Sequence, residues 1–208
     1  GCTSLVSITL PDSVEGIGYR VFENCTKLNS INYPLNWSRT ITCSNYTGVN
    51  VNGQIFTGCT SLKKIEVPEG VTAIPSYAFN GCSNLEEVVL PGTLTSIGAY
   101  AFYGCSGLRS VSLGAGLTEI PAYCFYGCTS LGELNLPENI TSVGNYAFYN
   151  CIGFRLINMN ENLRTIGSYA FYGCNGVLSL VLNDGLETIN NNAFSNSVNL
   201  TAVEVPES

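Results

Sequence analysis

The 208-residue chain carries 15 acidic against 8 basic side chains and no histidine, for a net charge of −7. That balance argues against a nucleic-acid or anionic-membrane partner, because either needs clustered positive charge to displace counterions. Only 11% of residues are charged while 45% are apolar, which excludes a disordered chain and requires a buried core. No run reaches the ~18 consecutive apolar residues of a membrane-spanning helix, and no basic start followed by an apolar stretch marks a signal peptide.

Internal repetition decides the architecture. Cysteines stand at 2, 25, 59, 82, 105, 128, 151 and 174, and Ser197 continues the step. Every interval is 23 residues except Cys25 to Cys59, which is 34, a normal step plus 11 residues. Gly1-Cys2 and Pro206-Glu207-Ser208 both fall inside repeats, so the chain reads as part of a longer one.

Each coil can be read from its cysteine, counted as position 0. Apolar residues recur at 3, 6 and 8, as in Leu85, Val88 and Leu90. Alternation at 6 and 8 is the period of a half-buried strand. Pro follows at 9 in six coils (Pro11, Pro34, Pro68, Pro91, Pro137, Pro206) and ends the ladder through its missing N–H. Coils at Phe154–Asn160 and Val177–Asn183 lack it. A second apolar pair at 12 and 15, such as Leu94 with Ile97, leads to a turn former at 16. Tyr-Ala-Phe or a relative follows, behind a candidate N-cap at 17 (Ser76, Asn145, Ser168, Asn191), and a single helical or 3₁₀ turn fits these four residues. Phe at 20, from Phe22 to Phe194, fills the interior beside Ala at 19, each ring contributing about 1.5–3 kcal/mol. Position 22 is Gly or Asn in every coil, the two types that most readily take positive φ. One coil cannot offset its own ordering entropy, so stability must come from stacking. About nine coils with strands ~4.8 Å apart predict one rigid body, residues 1–208, roughly 40 Å long.

The pattern CxxLxxIxLPxxLxxIGxYAFxG, as in Cys82 to Gly104, resembles the BspA-like class of leucine-rich repeats over essentially the whole chain outside the insertion. The resemblance implies a curved α/β solenoid, mostly strand and irregular, with a parallel sheet on its concave side and short helical or 3₁₀ turns opposite. It also implies a bacterial-type surface protein, with several members implicated in adhesion to host matrix proteins or to other cells. Its fixed positions are the buried ones, so it specifies the fold far better than the ligand.

Eight cysteines share one interior row, which reads as small buried hydrophobes with free thiols rather than a disulfide framework or zinc site. Cys124, at position 19, reads the same way, leaving Cys43 as the candidate reactive or paired thiol. No His is available to activate a Ser or Cys nucleophile, no phosphate loop or metal cluster is present, and no cofactor is implied. Glu66 and Glu87 fall on adjacent coils, but Lys64 beside Glu87 at position 5 predicts a surface ion pair instead of a carboxylate pair. A non-enzymatic chain follows.

Ligand-binding candidates therefore lie where the repeat varies. The outward strand positions include Lys64, Glu66, Glu87, Val89, Glu133 and Asn135, a small and mildly acidic surface with few of the aromatics that anchor protein partners. Tyrosines form two rows, Tyr77, Tyr100, Tyr123, Tyr146 and Tyr169 at position 18 and Tyr103, Tyr126, Tyr149 and Tyr172 at 21. Three apart on a helical turn, both rows would share the outer face. They read either as rings stacked to shield the core or as a flat aromatic strip for a glycan or protein. The insertion within 35–55 holds Trp37, Tyr46 and an Asn52-Gly53 turn signal, and is either a recognition loop or a decorative bulge. Asn-x-Ser/Thr sequons at 24, 36, 45, 139 and 199 matter only if the chain is glycosylated. The reading that results is a secreted or surface-exposed module that binds a protein or glycan, without membrane insertion. The alternative is a rigid spacer carrying another domain away from the cell surface.

Overall fold

A 23-residue step lays each coil directly on the one before it. The computed structural model, which describes residues 1–14, 17–33 and 53–205, pairs residue i with residue i+23 wherever its strands meet. One row of strands occupies positions 5 to 7: β1 (Ser7–Ile8), β2 (Ser30–Ile31), β3 (Lys64–Glu66), β5 (Glu87–Val89), β7 (Ser110–Ser112), β9 (Glu133–Asn135), β11 (Leu156–Asn158), β13 (Ser179–Val181) and β15 (Ala202–Glu204). A second row, read from the sequence only as an apolar pair, is also strand: β4 (Ala73–Ile74), β6 (Ser96–Ile97), β8 (Glu119–Ile120), β10 (Ser142–Val143), β12 (Thr165–Ile166) and β14 (Thr188–Ile189). All pairings are parallel. The chain is thus a parallel β-solenoid of stacked coils.

Its interior is a set of columns running along the stack. Phe56, Phe79, Phe102, Phe125, Phe148 and Phe171 are fully buried, with successive rings 5.2–5.4 Å apart and within 11° of parallel. The leucines at position 3 and the isoleucines and valines of both strand rows close around them. In two of the three coils that lack Pro at position 9, asparagine stands there and bonds across coils. The Asn160 amide donates to the Ile140 carbonyl (3.0 Å) and that of Asn183 to the Leu163 carbonyl (2.8 Å), each tying its coil to the preceding one.

No residue described in the structure is helical, which corrects the expected helical or 3₁₀ turn at positions 17 to 20. The backbone amides there alternate in direction. In one coil Tyr100, Phe102 and Gly104 donate to Ala122, Cys124 and Tyr126 of the next coil (3.3, 2.9 and 2.7 Å), while Ala101, Tyr103 and Cys105 donate three residues back within their own coil. An α-helix needs every amide to bond within the segment, and half of these are committed to a neighbour. Other amides point the opposite way, Thr95 donating to Thr72 (2.9 Å) and Gly98 to Ile74 (2.7 Å) of the preceding coil. The expected positive φ at position 22 is present, from Asn24 (56°) through Gly104 (69°) to Asn196 (59°).

Cysteine has a more specific role than a small hydrophobe. Each position 0 thiol from Cys59 to Cys174 donates to the carbonyl of the Phe three residues before the cysteine of the preceding coil, at 3.0–3.3 Å. Ser197 makes the same bond to Phe171 (3.2 Å). Cys25, Cys59, Cys82, Cys105, Cys124, Cys128, Cys151 and Cys174 are buried and free, and Cys2 is free and exposed. Burial pushes the Cys59 and Cys174 thiols up to about 12, and drives those of Cys82, Cys105, Cys124, Cys128 and Cys151 well above their ordinary range.

Two predictions follow from this packing. A Cβ at Gly98 would lie 2.2 Å from the Ser76 backbone nitrogen, whereas at Gly104 the nearest neighbour is the Gly81 Cα at 3.9 Å, with only the positive φ as penalty. Gly98→Ala should therefore cost about 2–3 kcal/mol and Gly104→Ala about 1 kcal/mol, an order readable from urea midpoints and refuted by its reversal. The folded chain also keeps protons that the unfolded chain releases once pH passes about 9. Stability is fully present below that pH and should fall as pH rises toward 12, by about 1.4 kcal/mol per pH unit for each of these raised thiols. Urea midpoints from pH 8 to 11 measure this, Cys105→Ser should shallow the slope, and a flat profile would overturn it.

Candidate functional site

Positions 19 and 20 are buried, Ala101 and Phe102 completely, so the turn built on positions 18 to 21 throws its first and last side chains outward. The residue at 18 achieves this through a left-handed backbone: Tyr77, Tyr100, Tyr123, Tyr146 and Tyr169 have φ of 57–61°. For a non-glycine residue that conformation costs roughly 1 kcal/mol. Ring stacking of about 0.5–1.5 kcal/mol per pair offsets it. The sequence gives no sign of this strain, because tyrosine is not a residue that selects positive φ.

Both tyrosine rows form continuous columns. Centroids in the position 18 row are 4.6–4.8 Å apart with rings 5–7° from parallel. Those in the position 21 row are 4.6–4.7 Å apart and 2–8° from parallel. The columns lean together, with rings of Tyr100 and Tyr103, Tyr123 and Tyr126, Tyr146 and Tyr149, and Tyr169 and Tyr172 meeting at 5.7–6.1 Å and 31–49°. All nine rings are half-buried. The rows do share a face, through the turn rather than through a helix, but the expectation of a flat strip needs correction. Each ring covers its neighbour's face, so what reaches water is a double comb of ring edges and phenol hydroxyls. Partial desolvation, reinforced by neighbouring phenols, raises the pKa of Tyr100, Tyr126 and Tyr146 above the ordinary tyrosine value.

Polar rungs bound the columns. On one side the second coil places Gln54 and Thr57 at the equivalents of positions 18 and 21, with Gln54 accepting from Arg20 of the first coil at 2.6 Å, itself paired with Glu23 at 3.3 Å. On the other the eighth coil places Asn192 and Ser195, hydrogen-bonded at 3.0 Å.

On the position 5 to 7 strand face, Lys64 and Glu87 lie opposite each other in register and form the expected ion pair at 3.0 Å. That hydrogen bond raises the Lys64 pKa. Glu66 faces Val89 rather than another carboxylate, so no acid pair forms there. Glu133 faces Leu156, and the Asn135 carbonyl oxygen accepts from the Asn158 amide.

The same face holds a feature the sequence reading missed. β11 pairs with β9 and β13 with β15, but no strand ladder joins β11 to β13. A cleft of about 760 Å³ opens at this break, lined by Leu156, Asn158, Arg164, Val181 and Asp184 among others. Leu156 and Val181 are 45% and 56% exposed. Their signal was present as apolar residues at outward positions 5 and 7, but residue identity alone does not reveal an interrupted ladder. Trp37, Tyr46 and Cys43 lie outside the described residues.

Compared with known proteins, the chain matches the model of the BspA type leucine rich repeat region in six copies, over residues 1–47, 49–177 and 96–208. No curated protein sequence matches it. Among solved structures it is similar to a leucine-rich repeat protein from Bacteroides ovatus, at 27% identity and a TM-score of 0.78, over 99% of this chain and 62% of that one. It also resembles the T. pallidum leucine rich repeat protein, at 29% identity and a TM-score of 0.65, over 68% of each chain. A leucine-rich repeat protein from Eubacterium ventriosum shares the fold at 14% identity, with a TM-score of 0.58 over 100% of this chain and 79% of that one. The chain thus spans 62% of the length of the Bacteroides ovatus protein.

Proposed function

The chain belongs to the BspA-type leucine-rich repeat family, and from that premise we propose that it is a non-catalytic recognition module displayed on a cell surface, where it serves adhesion. One observation carries this reading, the double tyrosine comb. Nine half-exposed aromatic rings stand on the outside of a rigid stack. Tyrosine supplies contact area and a hydroxyl at small entropic cost, and stacking fixes these rings before any ligand arrives, which lowers the ordering cost of binding. The Phe and Cys columns keep the coils together from inside, so the comb can contribute to recognition without being the source of the fold.

Probing an array of matrix proteins and glycans with the labelled chain tests the reading. Selective retention is expected, reduced at least tenfold by the combined substitution Tyr103→Ser, Tyr126→Ser, Tyr149→Ser and Tyr172→Ser, with the circular dichroism of the parent retained. Retention unchanged in that variant would remove the tyrosines from the site. Silence on every spot would favour a spacer.

A further inference from the structure

We infer that the tyrosine comb is a binding site for an extended, uncharged, hydroxyl-rich polymer, a neutral polysaccharide chain lying along the stack across the outer edges of the two columns. This rests on the recognition reading above and narrows its ligand. Charge is the first argument. In coils three to eight, positions 16 through 2 of the following coil, residues 75–84, 98–107, 121–130, 144–153, 167–176 and 190–199, contain no Asp, Glu, Lys or Arg. The charges of these coils all fall elsewhere around the coil, so a flank carrying nine tyrosines is electrically neutral while the whole chain is at −7. A charged ligand would have to be desolvated against a surface offering no counter-charge. The first coil differs, carrying Arg20, Glu23 and Lys27 along the same flank.

Geometry is the second argument. Because ring faces are covered by neighbouring rings, the comb offers edges and hydroxyls, each phenol able both to donate and to accept. Beyond it the flank continues with Ser83, Ser106 and Thr129, whose hydroxyls are half-exposed and stacked coil upon coil, Ser106 donating to the Ser83 carbonyl at 3.3 Å and Thr129 to that of Ser106 at 3.4 Å. Phenol rings that repeat every 4.6–4.8 Å, centroid to centroid, along each column suit a polymer that carries hydroxyls along its whole length. An extended peptide on that line would advance about 3.3 Å per residue and fall out of step.

Affinity electrophoresis of the full chain through gels containing a neutral mannan, a neutral β-glucan or polygalacturonic acid tests the inference. At least one neutral polymer should retard the chain, and the acidic one should not. Since the serine variant could lose its fold, a second variant changes the same four tyrosines to Phe, which keeps the stacked rings and removes only the hydroxyls. Retardation should fall at least fivefold in it. Equal retardation of the Phe variant, retardation by the acidic polymer alone, or none by any neutral polymer would overturn the inference. Tyrosine-dependent retention on a protein spot of the array, without retardation by any neutral polymer, would overturn this ligand class while leaving the recognition reading intact. Failure of both assays would overturn both.

Discussion

The structure depends on in-register stacking at a fixed step of 23 residues. Apart from the join across the 34-residue interval, hydrogen bonds between coils join groups brought level by that step, whether in the strand pairs or in the outward amides at positions 18, 20 and 22. Once the register is set, like residues must stack on like, and the Phe, Cys and Tyr columns follow without separate specification. The same constraint explains the cysteines. A thiol is small enough for a fully buried column, yet it can satisfy the second lone pair of a Phe carbonyl that already accepts a backbone amide, as Phe56 does from Cys59 and Cys82. Alanine would fill that volume and leave the acceptor half-satisfied.

Much of this was legible because the repeat presents each structural demand several times. Positive φ at position 22 could be read from the residues, since Gly and Asn are the types that tolerate it. Positive φ at position 18 could not, because tyrosine carries no such signature and its cost is met by contacts between coils rather than by local preference. The expected helical turn failed for a related reason. Spacing of three residues between exposed tyrosines suits one turn of helix and suits a β-turn equally well. The direction of the amides, set by the neighbouring coil, is what separates the two.

Surface features divide by the same logic. The Lys64–Glu87 pair was readable because it needs only the register. The cleft between β11 and β13 was not, since ladders are absent both there and between β7 and β9 although the residues are in step, and residue identity does not show which gap opens. The comb lies between these cases. Its positions were evident in the sequence, but its character, edges and hydroxyls instead of ring faces, depends on ring planes that only the packed coils determine.

The opposed directions of the amides carry a consequence for how long such a body can be. In an α-helix every peptide dipole points the same way, so partial charges build up at the two ends. Here Phe102 donates forward to Cys124 while Gly98 donates backward to Ile74, and the pattern recurs from coil to coil. Dipoles along the axis oppose one another and largely cancel, as in sheets. Adding or removing a coil therefore leaves the field at the tips nearly unchanged, and duplication of a repeat can lengthen the molecule without an accumulating electrostatic penalty.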